Sequence, residues 1–202
     1  MSDHYFSESP ASSDRRTRKT LTLRGQSFEV EVASGTFSPG GLDRGTAVLL
    51  DTVSDPTPEG VLVDVGCGWG PITLALASTA PQARVFAVDV NRRALDLTRT
   101  NADRAHLTNV TTVTPEEFPE GTAIDTLWSN PPIRIGKRAL HELLATWLNR
   151  LSDSGEAWLV VAKHLGAESL LRWLNTSHEG AFRAERVGRD KGYHVIRVVR
   201  SG

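Results

Sequence analysis

The sequence predicts an α/β fold with a mainly parallel sheet and helices on both faces. Three observations carry that prediction. Short, nearly all-apolar runs such as Val61 to Val65 recur along the chain, as strands buried on both faces require. Segments of helical period separate them; in Arg138 to Leu151 the residues Leu140, Leu143, Leu144, Trp147, Leu148 and Leu151 share one side. A glycine-rich turn, Asp64-Val65-Gly66-Cys67-Gly68-Trp69-Gly70, joins the first buried run to the next helix.

Taken in order, residues 1–20 are polar and read as a surface loop. Leu21 to Leu23 and Phe28 to Val32 alternate apolar and polar residues around Gly25-Gln26, the pattern of a small hairpin. Leu42 to Val53 has helical spacing. Asp55 to Gly60, with two prolines and a glycine, breaks the chain. Residues 1–53 are thus expected to form an N-terminal extension packed on a domain spanning 54–202.

Strands and helices then alternate. Strands are predicted at Val61 to Val65, Arg84 to Val88, Val110 to Val113, Ile124 to Trp128 and Ala157 to Ala162, with a closing antiparallel pair at Phe182 to Val187 and Tyr193 to Val199. Helices are predicted at Pro71 to Ser78, Ala94 to Ala105, Arg138 to Leu151 and Ala167 to Leu174. The result is a Rossmann-like, doubly wound, mainly parallel seven-stranded sheet with an antiparallel last strand, plus the short N-terminal hairpin. Ligands of such sheets bind at the carboxyl ends of the strands. The glycine turn, Asp89, Glu116 and Asn130 all follow a predicted strand, so they converge on one rim.

Composition narrows the function. The formal net charge is −1, so no global field recruits nucleic acid and any RNA contact needs a local patch. Cys67 is the only cysteine, which excludes an internal disulfide and suits an intracellular protein. No run is long and apolar enough for a signal peptide or a membrane span, so a soluble, cytoplasmic protein is expected. The six histidines show no metal-ligand spacing, and no metal is expected.

The glycine turn lets backbone approach a ligand, because Gly66, Gly68 and Gly70 carry no side chain. A dinucleotide fingerprint would need glycine where Pro71 stands. The acid Asp64 beside the turn suits a positively charged sulfonium cofactor, or else serves nearby backbone N–H groups. Asp89 ends the second strand and suits the hydroxyls of a ribose, or caps the helix beginning near Asn91. Glu116, after the third strand, is the candidate acceptor for an adenine amino group. Trp69 is placed to lean on the cofactor, Cys67 fills the turn, and Val90 follows the ribose acid.

The segment Asn130-Pro131-Pro132-Ile133 carries the chemistry. An exocyclic amine on a base is a poor nucleophile because its lone pair is delocalised into the ring. Holding both N–H hydrogens on acceptors, here the Asn130 side-chain oxygen and the Pro131 carbonyl, draws the nitrogen toward tetrahedral geometry. Pro132 stiffens the backbone around these acceptors. Arg134, Lys137 and Arg138 form a basic cluster beside the site, suited to phosphates or to a solvated helix start. A second basic stretch includes Arg183, Arg186, Arg189, Lys191, Arg197 and Arg200.

These motifs, with His4-Tyr5-Phe6-Ser7, Gly35-Thr36-Phe37-Ser38, Leu42-Asp43-Arg44-Gly45-Thr46 and Gly192-Tyr193-His194-Val195, give the chain a family resemblance. It resembles the class I S-adenosylmethionine-dependent methyltransferases, in their small-domain group related to ribosomal RNA guanine-N2 methyltransferases, and looks like the compact single-domain branch. The resemblance implies S-adenosyl-L-methionine as cofactor, with S-adenosyl-L-homocysteine as product. It implies contacts to the cofactor from Asp64, Gly66, Cys67, Gly68, Trp69, Gly70, Asp89, Val90, Glu116 and Asn130. It makes Asn130 and Pro131 catalytic, and sets Pro132, Ile133, Arg134 and Lys137 against the substrate. RNA, in particular ribosomal RNA or the small ribosomal subunit, is the implied partner. His4 and Phe37 are further candidates near the site. Two positions depart from the pattern: Glu116 stands where many relatives carry Asp, and Ile133 where many amine methyltransferases carry an aromatic residue. A protein glutamine methyltransferase and a non-catalytic RNA-binding module remain alternatives.

Overall fold

The computed structural model describes residues 15–36, 38, 40–177 and 180–201. The candidates His4 and Phe37 lie outside the described residues. The described chain begins with the expected hairpin, β1 (Arg16–Leu23) and β2 (Gln26–Ala33), longer than the apolar alternation alone suggested. Arg24 and Gly25 both adopt positive φ, 47° and 79°, the primed turn that matches strand twist. The Arg24 side chain then donates to the Leu50 and Val53 carbonyls, both at 2.9 Å, at the end of α1 (Arg44–Thr52). Asp43 caps the start of that helix through Gly45 N and Thr46 N.

The alternating part follows as β3 (Val61–Val65), α2 (Pro71–Thr79), β4 (Arg84–Val88), α3 (Arg92–Arg104), β5 (Val110–Val113) and β6 (Ile124–Ser129). It continues as α4 (Lys137–Leu148), β7 (Leu151–Ala162), α5 (Ala167–Thr176), β8 (Phe182–Asp190) and β9 (Tyr193–Arg200). The large sheet has seven strands in the order β5-β4-β3-β6-β7-β9-β8. All pairings up to β7 are parallel, and β9 runs antiparallel to both β7 and β8. The winding direction reverses between β3 and β6, and the crevice at that reversal holds the site.

Two expectations are corrected. Residues 16–20, expected in a surface loop, belong to β1, where pairing with β2 extends the hairpin. Leu151 fits the apolar stripe of the preceding helix but opens β7 instead, pairing with Ile124 beside a register shift. The helix stops at Leu148, and Ile124 N donates to the Arg150 carbonyl.

Alternate residues of the central strands feed two cores. Leu62, Trp128, Trp158 and Val160 face the hairpin, α1 and α2. Val61, Val63, Leu127 and Leu159 face α4 and α5. The hairpin is clasped to α3 by Asn101, whose side chain accepts from Glu31 N at 2.7 Å and donates to the Glu31 carbonyl at 2.9 Å. The same amide donates to the Trp69 carbonyl at 2.8 Å, so the glycine turn is braced against the extension. Among the described residues no helix is long and apolar enough to cross a membrane.

Candidate active site

A cavity of about 490 Å³ opens at the carboxyl ends of the strands. Gly66, Asp89 and Val90 reach it from β3 and β4, and Asn130, Pro131, Pro132, Ile133 and Arg134 reach it from β6. The two motifs distant in sequence therefore share one space. The Ser129 hydroxyl fixes their spacing by donating to the Val65 carbonyl at 2.6 Å.

The glycine turn is stitched to the end of β4. Gly66 N and Cys67 N both donate to the Val88 carbonyl, at 2.8 and 3.1 Å, and Gly68 N donates to Asp89 Oδ2 at 3.0 Å. Gly66 has φ of 79°, and a Cβ placed there would meet nothing within 4 Å. A side chain at 66 would enter the cavity itself, and its absence leaves the backbone open to that space. Gly70 differs. Its φ is 93° and a Cβ would lie 2.9 Å from Thr98 Cγ2, so its glycine serves packing.

Asp64 is fully buried and accepts from Thr73 N at 2.9 Å and Thr73 Oγ1 at 2.6 Å, both through Oδ2. Its Oδ1 is buried with no hydrogen-bond partner among the described residues. Burial raises its pKa to about 7. The backbone-partner role thus holds for one oxygen, and the fully buried Asp64 side chain does not line the cavity. Asp89 accepts Asn91 N on Oδ1 at 2.9 Å and Gly68 N on Oδ2, and each oxygen retains a lone pair for a further donor. Burial raises its pKa to about 6.

The Asn-Pro-Pro segment forms a tight local structure. Pro132 has φ −73° and ψ 74°, an inverse γ-turn, and Ile133 N donates to the Pro131 carbonyl at 2.8 Å. That carbonyl keeps its second lone pair. The Asn130 Nδ2 donates to Asp43 Oδ2 and to Thr46 Oγ1, each at 3.0 Å. A carboxylate only accepts, so the amide must present its nitrogen to Asp43. Asn130 Oδ1 has no partner among the described residues. One hydrogen-bond acceptor is thereby oriented and left available at the cavity.

Several expected residues sit elsewhere. The Trp69 side chain is 1% exposed in the core facing the hairpin and does not line the cavity. The Cys67 thiol packs with Ala87 and Leu95, and burial pushes it well above its ordinary pKa. Gly68 and Gly70 shape the turn without lining the space. Glu116 is exposed and outside the cavity, whereas its neighbour Pro115 lines it. The carboxylate held at this point is Glu117, which accepts Thr114 N at 3.0 Å and is thereby lowered in pKa. Lys137 lines a smaller neighbouring pocket with His141 and Gly166. Arg138 pairs with Glu142 on its own helix. Much of the second basic stretch is also paired: Arg186 with Glu168, Lys191 with Asp190, and Arg197 with Glu156 and Glu185.

Sequence reasoning missed Asp43, His164, Leu165 and Tyr193, which all line the cavity. Asp43 and Tyr193 fall within quoted motifs but carried no assigned role. Leu165 and Val90 are both large apolar residues with exposed side chains, at 42% and 40%, and both lie at this cavity. Among the described residues no three His, Cys, Asp or Glu side chains are grouped as metal ligands.

The family described as "Methyltransferase small domain" matches residues 27–197. The Bacillus subtilis (strain 168) protein YbxB, itself uncharacterised, is 36% identical over 201 residues, covering 98% of both chains. The ribosomal RNA small subunit methyltransferase C of Acinetobacter baylyi is 31% identical over 166 residues, which span 76% of this chain and 48% of that protein. The chain thus spans about half the length of this relative. Among solved structures, the T. thermophilus 16S rRNA N2 methyltransferase RsmC, in complex with AdoMet and guanosine, superposes with a TM-score of 0.79 at 20% identity. That alignment covers 95% of this chain and 52% of that one, and it shows the shared fold.

Proposed function

Because this chain belongs to the methyltransferase small domain family, we propose that it is an amine methyltransferase whose target is the N2 amine of a guanine in small-subunit ribosomal RNA. The enzyme class is that of the S-adenosylmethionine-dependent methyltransferases. The observation that carries the amine reading is the state of Asn130. Its nitrogen is held by Asp43 and Thr46, and its oxygen is left at a cavity shared with Gly66 and Asp89.

The residues fit the cofactor. The space over Gly66 accommodates its backbone-facing edge, and Asp89 has lone pairs for two ribose hydroxyls. The sulfonium supplies an activated methyl group when bound. The chain's own task is then to hold the target nitrogen. Asn130 Oδ1 and the free lone pair of the Pro131 carbonyl accept its two hydrogens, aim its lone pair, and leave the departing proton close to oxygen acceptors. No strongly basic side chain is required.

A flat base would lie between apolar surfaces. Ile133 and the exposed Leu165 supply them at the rim, in place of an aromatic ring. Arg134, exposed beside them, is suited to a phosphate. The choice of guanine N2 and of ribosomal RNA draws on the names of the relatives, and it implies a cytoplasmic enzyme. Incubation of the purified protein with methyl-labelled S-adenosylmethionine and small ribosomal subunits tests it. Ribonuclease-sensitive label recovered as N2-methylguanosine is expected. Label confined to protein would move the substrate to a glutamine side chain.

A further inference from the structure

Asp43 stands beside the amide that holds the target amine, and its carboxyl group is only half engaged. Its Oδ2 accepts from Gly45 N at 2.8 Å, from Thr46 N at 3.2 Å and from Asn130 Nδ2 at 3.0 Å. Its Oδ1 has no hydrogen-bond partner among the described residues. The side chain is partly exposed and lines the same cavity as Asn130 and Pro131. The bonds to Oδ2 fix the carboxyl group, so Oδ1 is a preorganised acceptor next to the amine-holding group.

We propose that Asp43 determines base specificity, with Oδ1 accepting the ring N–H that flanks the exocyclic amine of guanine. This rests on reading the site as a nucleobase amine methyltransferase. Hydrogen-bond polarity separates the candidate amines. The guanine amine at C2 is flanked by the N1–H donor. The amines of adenine and cytosine are flanked by ring nitrogens with lone pairs, and a glutamine amide by its carbonyl oxygen. A carboxylate at this position attracts the first and repels the others, and a polar site built for one partner discriminates strongly against its reverse.

The test uses guanosine and 2-aminopurine riboside, which keeps the C2 amine but carries a lone pair at N1. Their affinities are measured by calorimetry on the protein saturated with S-adenosylhomocysteine. The intact chain is expected to prefer guanosine by at least about tenfold, the size of a good directional base contact. Asp43→Asn preserves a strong helix cap and an oxygen for Asn130 while replacing the Oδ1 acceptor with a donor. It is expected to abolish or invert the preference, with S-adenosylhomocysteine affinity and melting temperature unchanged. Thr46→Val, which removes a partner of Asn130 and leaves Oδ1 alone, is expected to keep the preference. Equal affinities in the intact chain, which need no variant, would overturn the inference, as would an unchanged preference in Asp43→Asn. Both results leave the amine methyltransferase reading standing. Failure of both nucleosides to bind a protein that binds S-adenosylhomocysteine would remove the guanine reading, and this inference with it.

Discussion

The hydroxyl of Ser129 donates to the carbonyl of Val65 across 2.6 Å, at the ends of two adjacent parallel strands. This bond sets the distance between the glycine turn that follows Val65 and the Asn-Pro-Pro segment that follows Ser129. Ser129 is 1% exposed, so its removal strands a buried carbonyl. Ser129→Ala is expected to cost about 1–2 kcal/mol in denaturant unfolding. Methyl transfer should fall further than cofactor affinity, because the bond aligns the two halves of the site. Equal losses in both would assign the bond to stability alone.

The glycines of one turn should fail in different ways. Gly66→Ala places a methyl group in open cavity at positive φ. It is expected to cost about 1–2 kcal/mol in stability from the left-handed backbone and to weaken S-adenosylhomocysteine binding by at least about tenfold, or 1.4 kcal/mol. Gly70→Ala meets Thr98 at 2.9 Å as well. Overpacking adds about 1–3 kcal/mol there, so its loss is chiefly in melting temperature. Calorimetric binding and thermal unfolding of both variants separate these outcomes.

Asp64 gives the free protein a pH-dependent stability. Burial raises its folded pKa to about 7, above the ordinary 3.8. Its contribution is therefore fully present below about pH 4 and is lost as pH rises through about 7. Asp64→Asn keeps an acceptor for Thr73 without the buried charge. The variant should gain on the parent between pH 4 and pH 8, by up to about 4 kcal/mol for a shift of this size. Denaturant unfolding at both pH values, in the absence of cofactor, checks the sign.

Asp89 predicts the pH profile of cofactor binding. Burial raises its pKa to about 6, and only the ionised carboxylate keeps both oxygens as acceptors for a diol. Affinity for S-adenosylhomocysteine should be level above about pH 7 and fall by up to about tenfold per unit below about pH 6. Asp89→Asn should bind more weakly and lose that slope. A flat profile in the parent chain would contradict the role.

The sheet was legible in the sequence because its central strands are buried on both faces. Val61–Val65 and Arg84–Val88 appear with the expected bounds, each a short run between breakers or charges, and so does the half-buried edge strand Val110–Val113. The start of β7 was not, since Leu151 continues the apolar period of α4 and only pairing with Ile124 claims it for the sheet. At the site, strand ends were readable from topology, so Gly66, Asp89 and Asn130 fell together. Side-chain direction was not readable. Trp69 turns to the core because Asn101 holds its backbone against the hairpin, and Glu116 yields to Glu117 because Thr114 N can be capped from the latter. Asp43 stood in a quoted motif without a role, and its bond to Asn130 spans 87 positions that no local pattern links.

The most direct test of the central claim is nucleoside mass spectrometry of small-subunit ribosomal RNA from cells with the gene, without it, and with Asn130→Ala in its place. One N2-methylguanosine is expected to be lost on deletion and restored by the parent chain but not by Asn130→Ala, whose purified form still binds S-adenosylhomocysteine. Full restoration of that methyl group by Asn130→Ala would contradict the role given to the Asn130 amide, and an unchanged RNA profile on deletion would contradict the substrate.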